Sequence, residues 1–113
     1  MNPKKRIAFL CATYPPAPGG VARHVADLAN TMAANGYDVH VITNQIDGLP
    51  TQEIQAGLRI KRIPVHGPRA IRALQFVIKS LSHIFSIRPD VIHSHELDFT
   101  SIVGLLAKLS LGI

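Results

Sequence analysis

At 113 residues, 47% of them hydrophobic and 17% charged, the chain is long enough for one domain with a modest core. It is too short for a two-lobed enzyme and too apolar to be disordered. A formal charge of +5 and a pI near 9.9 ask for an anionic partner, while 5% aromatic residues and no Trp leave little stacking capacity and argue against nucleic acid.

Lys4-Lys5-Arg6 ahead of an apolar run imitates a signal peptide, but the run stops at Pro15-Pro16, too early for an h-region. No stretch is long enough to span a bilayer. Residues 6 to 12 instead read as a buried strand of a parallel sheet covered on both faces. Cys11 lies inside that strand, so it forms no intrachain disulfide and reads as a buried thiol suited to a reducing cytoplasm. The loop Tyr14-Pro15-Pro16-Ala17-Pro18-Gly19-Gly20-Val21 follows. Two glycines at the mouth of a helix leave backbone N–H groups uncovered, so the loop is either a plain strand-to-helix connection or a seat for a phosphate.

From Val21 to about Asn35, Val21, Val25, Leu28, Ala29 and Met32 recur at helical spacing, and Asn35-Gly36 supplies a left-handed stop. Residues 38 to 43 make a second strand and complete a βαβ unit, which should cross over right-handedly. A weak strand is expected around Glu53-Ile54. Residues 58 to 63 then alternate as a strand with Arg59 and Lys61 on its polar side, which reads as a solvated edge. A long helix over 69 to 87 carries Ile71, Leu74, Val77, Ile78, Leu81, Ile84 and Phe85 as its expected core stripe. Its other face gathers Arg69, Arg72, Lys79 and His83 with Phe76 among them, either an ordinary solvated face or one that lies on an anionic membrane surface. Residues 90 to 93 form a further buried strand leading into Ser94-His95-Glu96-Leu97-Asp98. Residues 99 to 111 read as an apolar helix, and the chain is expected to be a piece of something longer.

Alternating strands and helices imply an α/β fold, a Rossmann-like, doubly wound and mainly parallel sheet. With the main strands in the order 3-2-1-4, strand order reverses between the first and the fourth, and a crevice opens there at their carboxyl ends. The Gly19-Gly20 loop leaves the first strand and His93-Ser94-His95-Glu96 leaves the fourth, so both polar clusters converge on one cleft. A nicotinamide site is excluded, because the glycines lack the Gly-x-Gly-x-x-Gly spacing and the second strand ends in Thr43-Asn44 rather than an acid. A metal-dependent hydrolase built on His93, His95, Glu96 and Asp98 would need a further ligand, for which only His24 is placed. Two other readings stay open: both histidines are structural, or the cleft belongs to a non-enzymatic anion-binding module.

Tyr14-Pro-Pro-x-x-Gly19-Gly20-Val21-x-x-His24-Val25-x-x-Leu28-Ala29, then Gly36-Tyr37-Asp38-Val39-x-Val41-Ile42-Thr43, resembles the opening of the family 4 glycosyltransferases. Arg88-Pro89-Asp90-Val91-Ile92-His93-x-His95 and Leu105-Leu106-Ala107-Lys108-Leu109 resemble that family's next block. The resemblance implies a GT-B architecture of two Rossmann-like domains, of which residues 1–113 would be the N-terminal, acceptor-side domain, incomplete at its C-terminus and without the donor-binding domain. It further implies transfer of a sugar from a nucleotide-sugar donor to a hydroxyl acceptor with retention, using no metal and no other cofactor. By the same resemblance Gly19 and Gly20 lie against the donor diphosphate, His95 approaches the reacting carbon, and Tyr14, Arg23 and His24 line the acceptor side. The fragment alone is then expected to be inactive, to be cytoplasmic or peripheral to the membrane, and to self-associate through an exposed sheet edge.

Overall fold

The computed structural model describes residues 5–11, 14, 20–55 and 57–94. In chain order they form β1 (Arg6–Leu10), α1 (Gly20–Ala34), β2 (Asp38–Asn44), β3 (Gln52–Gln55), β4 (Leu58–Ile63), α2 (Arg69–Ile87) and β5 (Val91–Ser94). The sheet runs β3-β4-β2-β1-β5. β4, β2, β1 and β5 are mutually parallel, which is the expected 3-2-1-4 order, and β3 adds an antiparallel strand beyond it. β4 is therefore not an edge: β3 shields it, pairing Gln52 with Lys61 and Gln55 with Leu58. The predicted helix over 99–111 lies outside the described residues.

Side-chain alternation divides the core between the two faces of the sheet. Ile7, Phe9, Val39, Val41, Leu58 and Ile60 point to the α1 side, where Val25 and Ala29 meet them. Leu10, Ile42 and Ile63 point to the other side, under Phe76, Ile84 and Ile87 of α2. Helices on opposite faces of one parallel sheet make the fold doubly wound.

Both helices end where local chemistry stops them. At the end of α1, Gly36 takes φ +94°, Tyr37 N donates to Met32 O at 3.2 Å, and Gly36 N donates to Ala33 O at 3.1 Å. That pair of bonds satisfies carbonyls the helix leaves open, and glycine supplies the left-handed turn without steric cost. α2 ends on Arg88 at φ 52°, ahead of Pro89, which cannot continue a helix.

The rotation of α2 differs in part from the expected one: Val77, Leu81 and Ile84 pack on the core as expected, and the rest of the expected stripe does not. Phe76, Ser80, Ile84 and Ile87 are buried, whereas Ile71, Leu74, Ile78 and Phe85 are exposed, at 49%, 59%, 58% and 42%. The helix is apolar over more than half of its circumference, so periodicity offers two stripes. The connection from β4 selects between them: Lys79 Nζ donates to Pro64 O at 2.7 Å, and His66 N donates to Gln75 Oε1 at 2.8 Å. Those tethers turn Phe76 onto the sheet and the second stripe outward.

Candidate functional site

β1 and β5 are adjacent and parallel, with Leu10 opposite Ser94 in register. β2 and β4 continue from β1 in one direction and β5 lies in the other, so strand order reverses between β1 and β5. The chain leaves both strands at the same end, which is where a doubly wound sheet opens a crevice. Gly20 begins α1 on one side of that opening. Gly19 and His95, the two other residues expected there, lie outside the described residues.

Gly20 is exposed, and a Cβ built on it would meet nothing within 4 Å among the described residues. The protein's own packing therefore does not demand glycine at this position. The first turn of α1 contains no acidic residue and does contain Arg23, whose side chain is exposed. The first N–H groups and the positive end of a 15-residue helix thus share this end of α1 with the Arg23 cation. His24 is exposed on the same helix.

Tyr14 does not line an open surface. It is 3% exposed and packs with Cys11, Val25 and Ala29 beneath α1. Burial pushes its phenol up to about 12, with Cys11 adding to the rise and Arg62 opposing it. Cys11 is buried as expected, its backbone N donating to Ile42 O at 3.1 Å.

The residue that sequence reasoning missed is Arg62. It is 1% exposed, on the α1 side of β4 and opposite Thr43 in register. Its Nη1 donates to Glu53 Oε1 at 2.7 Å and to Pro50 O at 3.0 Å, while Nε and the neighbouring Thr43 Oγ1 are buried with no hydrogen-bond partner among the described residues. The guanidinium lies towards the carboxyl end of the sheet, on the face where Tyr14 and α1 lie, with its charge met by the Glu53 carboxylate. The signal was present: in Leu58-Arg59-Ile60-Lys61-Arg62-Ile63, inward Leu58 and Ile60 make Arg62 inward by parity.

His93 is exposed at the far edge of β5, and its ring meets Phe9 edge-on at 5.5 Å. Among the described residues no three His, Cys, Asp or Glu side chains come together as a metal site. Of the expected membrane face, Arg69, Arg72 and Lys79 are exposed but Phe76 is 4% exposed and belongs to the core. No helix among the described residues is long and apolar enough to cross a membrane.

Comparison with known proteins adds to this geometry. The family model for Glycosyltransferase Family 4 matches residues 18–113. A curated relative, an uncharacterised glycosyltransferase of Methanocaldococcus jannaschii, is 33% identical over 97 residues, covering 80% of this chain and 25% of the relative. The sucrose-phosphate synthase of Thermosynechococcus elongatus superposes with a TM-score of 0.75 at 20% identity, over 94% of this chain and 30% of that one. WaaG, a glycosyltransferase involved in lipopolysaccharide biosynthesis, superposes with a TM-score of 0.64 at 24% identity, over 78% of this chain and 23% of its own. The chain thus spans about a quarter of the length of the relative it matches.

Proposed function

This chain belongs to glycosyltransferase family 4 and has the fold of the N-terminal half of a GT-B enzyme, and from that premise we propose that residues 1–113 supply the acceptor-side half of a retaining transferase. The donor is a nucleotide sugar, the acceptor a hydroxyl, and a second domain holds the base and ribose of the donor. The proposed transfer uses no metal or other cofactor.

One observation carries the reading: α1 begins at Gly20 beside the point of strand reversal, with no acid in its first turn and open space where a side chain would sit. The amides of Gly19 and Gly20 then meet the donor diphosphate and stabilise charge as the leaving group departs. His95 follows the end of β5 by one residue and faces the reacting carbon in this scheme. Arg23 and His24, exposed on α1, contact the acceptor. Tyr14, buried under α1, supports that wall from below rather than touching the acceptor.

The test is Gly20→Val in this chain joined to the donor-binding half of the Methanocaldococcus jannaschii relative. Because a Cβ at Gly20 meets nothing, the variant folds as the parent does, while nucleotide-sugar turnover falls about 100-fold or more. Unchanged turnover in the folded variant removes Gly20 from the site.

A membrane-bound acceptor is the second part of the proposal, and the outward stripe of α2 favours it. Ile71, Leu74, Ile78 and Phe85 recur at three- and four-residue spacing on a solvent-facing surface, and Arg69 and Arg72 stand in the first turns without an acidic neighbour there. Cations at a helix N-terminus oppose the helix dipole, a cost that anionic headgroups relieve. The apolar stripe lies in the interface while the cations hold phosphate, which makes the protein peripheral at a cytoplasmic membrane face.

A further inference from the structure

On the α2 side of the sheet, towards the amino ends of the strands, an open cleft of about 450 Å³ lies between β2, β4 and the last turns of α2. Its floor carries His40, Arg59 and Lys61, and its helical wall carries His83 and Ser86. It opens at the end of the sheet remote from Gly20, so it is no part of the transfer site.

We propose that this cleft binds a phosphate monoester. The argument is an inventory of charge. The acidic side chain on this face is already engaged: Asp38 lies 3.6 Å from Arg6 and 3.4 Å from His40, while the Glu53 carboxylate turns to the α1 face and accepts hydrogen bonds from Arg62 and Gln55. Arg59 and Lys61 have no acidic side-chain partner among the described residues, yet alternation puts both on the same face of β4. Two like charges on one wall repel unless an anion lies between them and the histidines.

The histidines respond to the same field. Burial holds His40 below its ordinary value, with Arg59 and Arg6 adding to the effect and Asp38 opposing it. Burial likewise lowers His83, with Lys61 and His40 adding. A dianion beside Arg59 and Lys61 reverses those repulsions and favours both imidazolium forms. A phosphate monoester loses its second proton near pH 6, close to where these imidazoles titrate, and the Ser86 hydroxyl offers a further donor. The cleft is several times larger than inorganic phosphate, which leaves room for an attached group of the size of glycerol or a sugar.

The test follows the imidazole Cε1–H resonances of His40 and His83 in the intact chain. Glycerol phosphate at about 1 mM, a concentration suited to weak-site affinities, is added in one arm, and vesicles carrying phosphatidic acid in another. A saturable shift of both resonances, with both titration midpoints moving up and affinity at least tenfold weaker in R59Q/K61Q, is the expected result. A response to the soluble ester assigns a free metabolite, and a response to vesicles alone assigns a lipid headgroup; either supports the site. Both substitutions are at solvent-accessible positions, and Asn30→Asp, exposed on α1 across the sheet, serves as the variant that changes net charge yet leaves the shift intact. No shift in either arm, or a shift that survives R59Q/K61Q, overturns the proposal.

Discussion

Arg62 and Glu53 meet at 2.7 Å, a guanidinium 1% exposed against a carboxylate that reaches solvent. This pair, with the Arg62 bond to Pro50 O, fastens the antiparallel β3 and the turn before it to the parallel sheet. Arg62→Ala removes both bonds and empties a buried volume, and chemical denaturation should show a loss of about 2–4 kcal/mol. Stability unchanged in that variant would mean that β3 docks without it.

The same pair sets the acid limb of stability. Hydrogen bonds from Gln55 and then Arg62 hold the Glu53 carboxyl below its ordinary 4.5. A depressed carboxylate contributes stability that is complete above 4.5 and is lost as pH falls through the lower folded value. Glu53→Gln should therefore flatten the acid side of a plot of denaturation midpoint against pH.

His40 and His83 act in the same direction nearer neutrality. Both are held below 6.5 in the folded chain, so the unfolded chain takes up their protons first. Stability is complete above 6.5 and declines as pH falls towards the lowered values. His83→Gln should reduce that decline between about pH 7 and about pH 5, measured by urea midpoints at low salt. An equal slope in the variant would show that His83 does not contribute.

The orientation of α2 makes opposite demands on two isoleucines, Ile78 and Ile84, of the same helix. Ile84 is fully buried and Ile78 is 58% exposed. Ile84→Ala should cost about 2–4 kcal/mol, whereas Ile78→Ala should stay within about 0.5 kcal/mol. In vesicle sedimentation the order reverses: Ile78→Glu with Leu74→Glu should release the protein from anionic vesicles while leaving its fold intact. A loss of similar size in both variants would restore the wider core stripe expected from periodicity, which held both isoleucines.

How much of this was legible in the sequence depends on what each signal encodes. The βαβ opening was readable because the α1 stripe, the Gly36 stop and the apolar β1 agree. The order 3-2-1-4 was supposed as the usual arrangement for alternating strands and helices, with no particular residue encoding it. The rotation of α2 was not readable, because apolar residues fill two stripes and the choice rests on tethers from Pro64 and His66. Arg62 was legible in part: the parity of Leu58 and Ile60 turns it inward, but only the pairing with β3 shows the carboxylate that meets it. At the site, Gly20 begins α1 and Arg23 is exposed in its first turn, while Tyr14 turned inward because its ring completes the core beneath α1.

The central claim is that Gly20 and the β1–β5 opening form half of a transfer site. It is tested most directly by nucleoside diphosphate release from a panel of common nucleotide sugars, comparing the isolated chain with the chain joined to a donor-binding half. The account predicts no release by the 113 residues alone, and turnover by the joined protein that is lost in His95→Ala. Turnover by the isolated chain would contradict it.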